Sequence, residues 1–413
     1  MQVNIVDSLM GAGKTSAMIN YINASDKDTR FLYITPYLSE VERIIKQCPY
    51  KTFKQPERRG SKTRGIKELF ERGVNIVSTH ALLGKFNEEI IDLAYDANYI
   101  LVMDEVADVV AKLPISNDDL AIIRKNYTVI ENGHLLRWTA RDYEGKLEEY
   151  KNLCDLGCVG VYGDTTILWL FPITTFKGFR EIYILTYMFE AQVQKYYFDF
   201  YGINYKQMYV TKSEVDTEDG MPHYMLTDIP QRYDYSNYGS LIMVHEGIKL
   251  NQIGELDNSL SKSWYKRNKS NKLMATLKKN MVNYFQHYTG TQSKQNMWTT
   301  FKDYQNDIRG KGYSKGFVSS NMRATNDFKD RTAVAYPINK FFNPYIKNFF
   351  AQHEIEIDED AYALSEMIQW IFRSAIRQGM PIQIYVPSFR MRELLKKWLQ
   401  DICAKSGGGA IDS

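Results

Sequence analysis

Short apolar runs alternate with helical patterns through the first half of the chain. Apolar runs of a few residues bounded by turn residues are typical of buried strands, whereas helices repeat apolar positions every three to four residues. Strands joined through helices form a parallel sheet that is covered on both faces. The first half is therefore expected to be an α/β domain. The pattern predicts strands at Gln2–Val6, Phe31–Thr35, Val74–Ser78, Tyr99–Met103 and Ile182–Thr186, and helices at about Thr15–Ile22, Ser39–Gln47 and Phe189–Tyr197.

A long insertion, residues 105–180, separates the fourth and fifth of these strands. Asn132-Gly133 lies between the strand-like runs Tyr127–Ile130 and Leu135–Trp138. This dipeptide favours the type I′ turn of a two-residue hairpin. We therefore expect an inserted β-hairpin, and its role is not readable from these residues.

The second half repeats the alternation after a polar, acidic stretch at Ser213–Gly220 that is typical of a linker. We expect a second α/β domain, with domain 1 at residues 1–211, domain 2 at 212–403 and a flexible glycine-rich tail at 404–413. The pattern predicts strands at Asn296–Phe301, Gly316–Ser319, Ala333–Tyr336 and Ile382–Val386, and helices at Tyr362–Arg377 and Ser388–Ile402.

A phosphate-binding loop is the strongest local motif of the chain. The segment Ser8–Thr15 follows the first strand and opens the first helix, which is the context that a P-loop requires. Glycines let backbone N–H groups converge on phosphates at a helix N-terminus, the lysine neutralises phosphate charge, and the hydroxyl next to it binds Mg²⁺. The first glycine of the usual pattern is a serine here. The predicted nucleotide-binding residues are Ser8, Gly11, Ala12, Gly13, Lys14, Thr15 and Ser16.

Two carboxylates, Asp104 and Glu105, end the fourth strand. The carboxyl ends of parallel strands meet at one edge of a sheet, where such folds bind ligands. We therefore expect Asp104 to bind Mg²⁺ together with Thr15, and Glu105 to orient the attacking water. With Lys14 as the phosphate-charge partner, this pairing predicts hydrolysis of ATP.

The same residues resemble a known family. Asp104-Glu105-Val106-Ala107 resembles the Asp-Glu-x-x box of superfamily 2 helicases. The set of motifs as a whole is similar to that of bacteriophage replication helicases. Ile34-Thr35-Pro36-Tyr37 and Val77-Ser78-Thr79-His80 resemble two motifs that contact nucleic acid in that family. The resemblance implies nucleic-acid contacts at Thr35, Pro36, Thr79 and His80. Leu185–Phe189 occupies the place of the motif that couples hydrolysis to strand movement, where only Thr186 matches.

Two further motifs extend the resemblance into the second half. Met322–Asp327 resembles the motif that bridges ATP and nucleic acid, which implies nucleic-acid contacts at Arg323 and Thr325 and a nucleotide contact at Asp327. Gln369–Arg377 resembles the Gln-x-x-Gly-Arg-x-x-Arg motif, with Phe372 in place of the glycine. It implies a nucleotide contact at Gln369 and an arginine finger at Arg373 or Arg377. Being four positions apart, these arginines are expected to share one helix face, and an arginine of this kind stabilises charge on the γ-phosphoryl group. A solvated basic stripe, with Arg390 and Arg392 nearby, is the alternative.

The charge distribution adds a candidate nucleic-acid surface. The 413 residues include 52 basic and 49 acidic side chains, a net charge of +3, but residues 258–302 contain nine basic residues and no acidic one. Cations neutralise phosphates and exposed rings stack on bases. We therefore predict contacts at Lys266, Arg267, Lys278 and Lys279. Interleaved rings that face solvent would stack on exposed bases, whereas many of these rings are expected to belong to the core. The alternative is a solvated helix with a buried aromatic face. A second basic cluster, either a DNA contact or plain surface, lies in the loop after the second helix and comprises Lys54, Arg58, Arg59, Lys62, Arg64 and Lys67.

These features predict two RecA-like P-loop domains in tandem that hydrolyse ATP with Mg²⁺ in the cleft between them and so move or unwind nucleic acid. We expect DNA as partner, with RNA and other replication proteins as further candidates, and a monomer as the default state. A terminase-type packaging ATPase is an alternative, for which the acidic run His353–Asp360 would supply nuclease ligands. A nucleotide-switched loading factor that does not unwind DNA is another. A small-molecule kinase would leave the second half unexplained.

The remaining global features favour the cytoplasm. Four cysteines are too few for a disulfide framework, and Cys154 and Cys158 lack a second pair at zinc-site spacing. The chain opens directly on a strand, so no signal peptide is expected, and no apolar stretch is long enough to span a bilayer. In a virus, this would be the host cytoplasm.

Overall fold

The structure, a computed structural model, describes residues 1–36, 38–57, 62–163, 166–213, 223–320 and 328–407. In chain order the strands of these ranges are β1 (Gln2–Asp7), β2 (Phe31–Thr35), β3 (Ile76–Thr79), β4 (Ile100–Asp104), β5 (Val110–Lys112), β6 (Thr128–Glu131), β7 (Leu135–Trp138), β8 (Val159–Tyr162), β9 (Thr166–Leu170), β10 (Glu181–Thr186), β11 (Tyr205–Lys212), β12 (Tyr224–Thr227), β13 (Ile242–Val244), β14 (Asn296–Trp298), β15 (Ala333–Ala335) and β16 (Ile382–Tyr385).

Helices fill much of the remaining chain. In order they are α1 (Lys14–Ala24), α2 (Leu38–Gln47), α3 (Lys62–Glu71), α4 (Glu88–Asp96), α5 (Asn117–Asn126), α6 (Glu148–Asp155), α7 (Ile173–Lys177), α8 (Val193–Phe200), α9 (Asn237–Leu241), α10 (Ile248–Asn251), α11 (Lys262–Asn268), α12 (Lys272–Asn283), α13 (Gln305–Ile308), α14 (Pro344–Gln352), α15 (Glu359–Ile371) and α16 (Phe389–Gly407).

The chain divides into two units. The first comprises Met1–Gln231 and Asn343–Ile357, and the second comprises Arg232–Phe342 and the chain from Asp358 onward. The division therefore falls after Gln231 rather than at residue 211, because β12 continues the sheet of the first unit. A second difference is that α14 belongs to the first unit although it follows most strands of the second in sequence.

The main sheet of the first unit places the candidate site residues at one edge. Among the described strands, seven form this sheet, in the order β12-β11-β1-β10-β4-β2-β3. Neighbours are parallel except β11 and β12, which are antiparallel. β10 thus separates β1, which leads into the phosphate loop, from β4, which ends in Asp104. Their carboxyl ends, with that of β2, lie at a common edge of the sheet.

Continuous apolar strands account for the burial of this sheet on both faces. Phe31, Leu32, Tyr33 and Ile34 are all inaccessible to solvent, although successive residues of a strand point to opposite faces. One face is covered by α1, which buries Ala17, Met18 and Ile22 in the same core cluster as Phe31 and Tyr33. Burying an aliphatic or aromatic side chain stabilises the fold by about 1.5–3 kcal/mol relative to leaving it exposed.

The insertion is larger than the predicted hairpin. Its described strands form an antiparallel sheet in the order β5-β9-β8-β7-β6. The predicted hairpin β6–β7 is present, and Asn132 and Gly133 have the left-handed φ angles of 51° and 73° expected of them. Its loop is one residue longer than predicted, because Glu131 pairs with Leu135. Leu120, Leu136 and Trp138 belong to a separate core cluster of this sheet.

The second unit has a smaller parallel sheet. The described strands of this unit pair in the order β13-β16-β15-β14. The predicted strand Gly316–Ser319 is wrong, since it forms only an isolated bridge between Phe317 and Trp298. The predicted fold class is confirmed: the chain is an α/β protein of two RecA-like units with insertions.

Candidate active site

The phosphate loop has the backbone that its sequence predicts. β1 ends at Asp7 and α1 begins at Lys14, and Gly11 and Gly13 have φ angles of 88° and 89°. Glycine adopts this left-handed region without the steric cost that a Cβ atom adds. The Lys14 ammonium group donates hydrogen bonds to the carbonyl of Ser8 and, at 3.1 Å, to that of Leu9. The lysine therefore lies back across the loop.

The two predicted magnesium ligands lie together. Thr15 Oγ1 donates a hydrogen bond of 3.4 Å to Asp104 Oδ2, although 89 positions separate the residues. The contact forms because Thr15 is in the first turn of α1 and Asp104 is the last residue of β4. A hydroxyl beside a carboxylate presents hard oxygen donors of the kind that Mg²⁺ prefers.

Two residues outside the phosphate loop hold Asp104: Tyr33, which no motif contains, and His80, which belongs to a predicted nucleic-acid motif. The Tyr33 hydroxyl donates to Asp104 Oδ2 at 3.3 Å, and the His80 Nε2 atom lies 3.1 Å from the Asp104 carbonyl oxygen. Burial, followed by the nearby Glu105 and Glu40 carboxylates, raises the pKa of Asp104 to about 7, against the opposing effect of Lys14. The pocket thus holds a carboxyl group that a cation would stabilise in its charged form.

Glu105 follows in a conformation that few non-glycine residues adopt. Its φ angle is 77°, and its backbone N–H donates to the Leu185 carbonyl of β10 at 2.9 Å. Left-handed backbone at a bulky residue costs about 1–2 kcal/mol and persists where the surroundings impose it. Here the hydrogen bond to β10 imposes it at the residue predicted to orient water.

Asp7 joins the phosphate loop to the segment after β10. Its two carboxylate oxygens accept backbone N–H groups of Met188 at 2.8 Å and Phe189 at 2.7 Å. Met188 has a φ angle of 54°. Sequence reasoning missed both Asp7 and Tyr33. The available signal was their position: Asp7 ends β1 just before the phosphate loop, and Tyr33 brings a hydroxyl into the apolar run of β2.

The predicted nucleic-acid residues of the first unit lie at the same sheet edge. Thr35 and Thr79 pair in register at the ends of β2 and β3. Thr35 is fully buried, and its hydroxyl has no hydrogen-bond partner among the described residues, so its contact with nucleic acid stays a prediction. Pro36, Thr79 and His80 are partly exposed and stay predictions. Thr186, at the end of β10, pairs with Asp7 in register.

The expected arginine helix in the second unit is wrong. α15 ends at Ile371, so Arg373 lies beyond it and Arg377 lies in a separate 3₁₀ turn. The Ser374 hydroxyl donates to the Ile371 carbonyl at 2.7 Å and competes with the helix, and Ala375 N–H donates to the Arg331 carbonyl at 3.0 Å. Arg373 is buried, whereas Arg377 is partly exposed.

Of the other residues predicted to contact nucleotide or nucleic acid in the second unit, the structure describes Gln369 but not the motif around Arg323. Gln369 is partly exposed on α15, and its side chain donates to Ser365 Oγ at 3.0 Å. Arg323, Thr325 and Asp327 lie outside the described residues, as does the motif that contains them.

The basic segment separates into exposed cations and buried rings. Lys266, Arg267, Lys278 and Lys279 are exposed on α11 and α12. As expected for many of the rings, most of them form the core of the second unit rather than a stacking surface. The buried rings are Trp264, Tyr265, Tyr284, Phe285 and Trp298. The segment therefore offers positive charge at its surface, with Tyr288 as an exposed ring.

The second basic cluster is partly helical and ion-paired. Arg64 and Lys67 lie on α3 rather than in a loop. Arg64 pairs with Glu68 at 3.1 Å and Lys67 with Glu89 at 2.5 Å, which favours plain surface for these two residues. Arg58 and Arg59 lie outside the described residues, and the side chain of Lys62 does too.

The acidic run His353–Asp360 is occupied by structural contacts. The Asp358 carboxylate caps α15 by accepting Ala361 N–H at 2.8 Å, Glu359 accepts Phe342 N–H at 2.8 Å, and Asp360 pairs with Arg390 at 2.6 Å.

Within the described ranges, no group of three or more His, Cys, Asp or Glu side chains could hold a metal ion. In those ranges, too, no helix is long and apolar enough to cross a membrane. Burial raises the pKa of Cys154 and of Cys158 to about 12.

Fold and loop together define an α/β protein of two RecA-like units, the first of which carries a phosphate-loop sequence. Residues 236–399 match the family described as the YonV C-terminal Rossmann-like domain. The chain is also 39% identical over 416 residues to the SPbeta prophage-derived uncharacterized protein YonV of Bacillus subtilis (strain 168), covering 97% of this chain and 99% of that protein. The chain belongs to the YonV family.

Solved helicase structures show a weaker likeness. An XPD helicase matches with a TM-score of 0.42 and 11% identity, covering 96% of this chain and 94% of that one. The DUF1998 helicase MrfA, bound to DNA and AMPPNP, matches with a TM-score of 0.35 and 12% identity, covering 97% of this chain and 48% of that one. At these scores the likeness carries no functional argument.

Proposed function

We propose that the protein is an ATP-dependent nucleic-acid helicase or translocase. The contact of Thr15 with Asp104 at the mouth of a glycine-rich loop carries this proposal. It joins a phosphate-binding helix N-terminus to a carboxylate at a sheet edge, which is the combination that NTP hydrolysis requires.

The residues of the first unit fit ATP and Mg²⁺. Gly11 and Gly13 carry no side chain at two positions of the loop, and the Ser8 side chain is buried with no hydrogen-bond partner for Oγ among the described residues. Thr15 and Asp104 would hold Mg²⁺, which neutralises phosphate charge when bound. Lys14 would exchange its loop carbonyls for phosphate oxygens, and Glu105 would orient water.

Nucleic acid is proposed as the partner on electrostatic grounds. Exposed Lys266, Arg267, Lys278 and Lys279 give one surface of the second unit a local excess of positive charge. The prophage origin of the YonV relative supports a role in phage DNA replication or recombination. We propose DNA as the principal partner of a monomeric protein, with RNA and replication proteins as further partners. Arg373 and Arg377 stay predictions for the arginine finger.

The two alternatives differ in measurable output. A terminase-type packaging ATPase would cleave DNA with metal ions, and the contacts of Asp358, Glu359 and Asp360 argue against using this run for that purpose. A nucleotide-switched loading factor would bind DNA in response to ATP without separating strands.

The test is ATP hydrolysis by the full chain, with and without DNA, together with strand displacement on tailed and forked duplexes. We expect hydrolysis to rise on addition of DNA and strands to separate. Lys14→Ala should lower hydrolysis by about a hundredfold or more, because a charge partner of the phosphates is lost. Full ATP hydrolysis by Lys14→Ala would refute the proposed nucleotide site. Hydrolysis that does not respond to DNA would refute the proposed helicase or translocase activity.

A further inference from the structure

The ring of Tyr224, the first residue of β12, packs on the phosphate loop. A Cβ atom placed on Gly13 would lie 2.4 Å from Cδ1 and 2.6 Å from Cε1 of Tyr224. The ring therefore approaches the loop backbone more closely than any residue other than glycine at position 13 allows. Asn20 of α1 donates a hydrogen bond of 2.9 Å to the Tyr224 carbonyl, which holds strand and helix together.

The sheet topology explains this position. β11 runs parallel to β1, so the carboxyl end of β11 lies at the edge where the phosphate loop begins. β12 returns antiparallel, with Tyr224 paired to Lys212 at that end. Tyr224 and Leu226 pack against the core under α1, whereas Met225 between them is 42% exposed. The first residue of β12 is thereby brought beside Gly13.

The ring has the chemistry and exposure of a base-stacking residue. Tyr224 is only partly buried, so it lies between the core and solvent at the rim of the loop. When a loop holds the phosphates of a nucleotide, the sugar and base must extend beyond its rim. A flat aromatic ring stacks on any base, and such a contact is worth about 1–3 kcal/mol.

We propose that Tyr224 is the residue against which the base of the bound nucleoside triphosphate stacks. This inference rests on the proposed nucleotide site and adds its nucleoside side, which no P-loop residue supplies. Gly13 then has two functions: its left-handed backbone shapes the loop, and its missing side chain admits the ring.

Two probes separate stacking from support of the loop. Binding of ATP and of inorganic tripolyphosphate, both with Mg²⁺, is measured by calorimetry on the full chain and on Tyr224→Ala, Tyr224→Phe and Met225→Ala. We expect Tyr224→Ala to weaken ATP binding by about five- to hundredfold and to leave tripolyphosphate binding within about twofold. Tyr224→Phe keeps the ring and should bind both probes as the wild type does. Met225→Ala, a change on the opposite face of β12, should do the same.

The outcomes that overturn the proposal are distinct from failure of the nucleotide site. Equal weakening of both probes in Tyr224→Ala would show that the ring braces the loop, and no weakening of ATP would show that the base lies elsewhere. Lys14→Ala should weaken both probes. If it weakened neither, the proposed nucleotide site itself would be wrong, and the role of Tyr224 would fall with it.

Discussion

Asp104 shows how one partly buried side chain sets opposing demands on stability and proposed function. As the proposed magnesium ligand, Asp104 would act in its ionised form, but its surroundings disfavour the charge and raise its pKa to about 7 from an ordinary value of 3.8. The folded protein therefore binds this proton more tightly than the unfolded chain does. Its contribution to stability is greatest below about pH 4 and is lost as the pH rises to about 7.

Asp104→Asn should remove this pH dependence. Without divalent cations, we expect the variant to gain about 2–3 kcal/mol in unfolding free energy relative to the wild type between pH 5 and pH 8, because the amide carries no charge. Urea unfolding at several pH values measures the difference. Asp92→Asn, an exposed carboxylate on α4, is the control and should track the wild type. Parallel profiles for wild type and Asp104→Asn would contradict the assignment.

At the scale of elements, the antiparallel sheet of the insertion packs against α14 within the first unit. Gly160 on β8 lies where they meet, since an added Cβ would lie 2.9 Å from Leu170 Cδ1 and 3.3 Å from Phe349 Cε2. Phe349 is fully buried on α14, and Lys112 of β5 lies 3.7 Å from the centre of the Tyr345 ring. The fit at this contact therefore depends on the absence of a side chain.

Gly160→Ala should therefore destabilise the first unit by about 1–3 kcal/mol, the usual cost of overpacking. Gly84→Ala is a matched control in the same unit, because its nearest neighbour would be a Trp169 ring atom at an ordinary 3.9 Å. Thermal and urea unfolding measure both variants. Equal stability of the two would show that the contact relaxes freely around position 160.

Elements with a strong local pattern could be predicted, and those fixed by distant contacts could not. β2 and β4 follow from runs of apolar residues between turns, and the P-loop follows from its glycines. The end of α15 does not, because Ala375 is held by the Arg331 carbonyl and Trp370 Nε1 by the Val318 carbonyl at 3.1 Å. These partners lie far away in sequence.

The candidate site divides in the same way. Thr15 and Asp104 could be paired because each belongs to a motif with a known place at the sheet edge. Tyr33, Asp7 and Tyr224 could not be assigned to the candidate site from the sequence, since each reaches it through a contact between separate elements. For the aromatic residues near Lys266, composition alone could not show which rings face the core and which face the solvent.

For the whole molecule, the net charge of +3 conceals a concentrated basic surface. α11 and the turn after α12 bury most of their rings, whereas α11 and α12 expose their cations, so this surface can attract phosphates but offers little stacking. Binding that depends on counterion release weakens steeply with salt, and each lost phosphate contact lowers the slope of log K against log salt concentration. The proposed partner should therefore be held mainly by charge.

Reversal of two of these charges should lower both the affinity for single-stranded DNA and its salt dependence. For the double variant Lys278→Glu and Lys279→Glu, we expect the slope to fall by about 1.4, as for two lost phosphate contacts on a single strand. The control is Lys27→Glu with Lys46→Glu, which changes the net charge equally at exposed positions of the first unit. Fluorescence anisotropy across a salt series measures both. An equal loss in both variants would attribute binding to overall charge, whereas an unchanged slope in the first would remove α12 from the nucleic-acid surface.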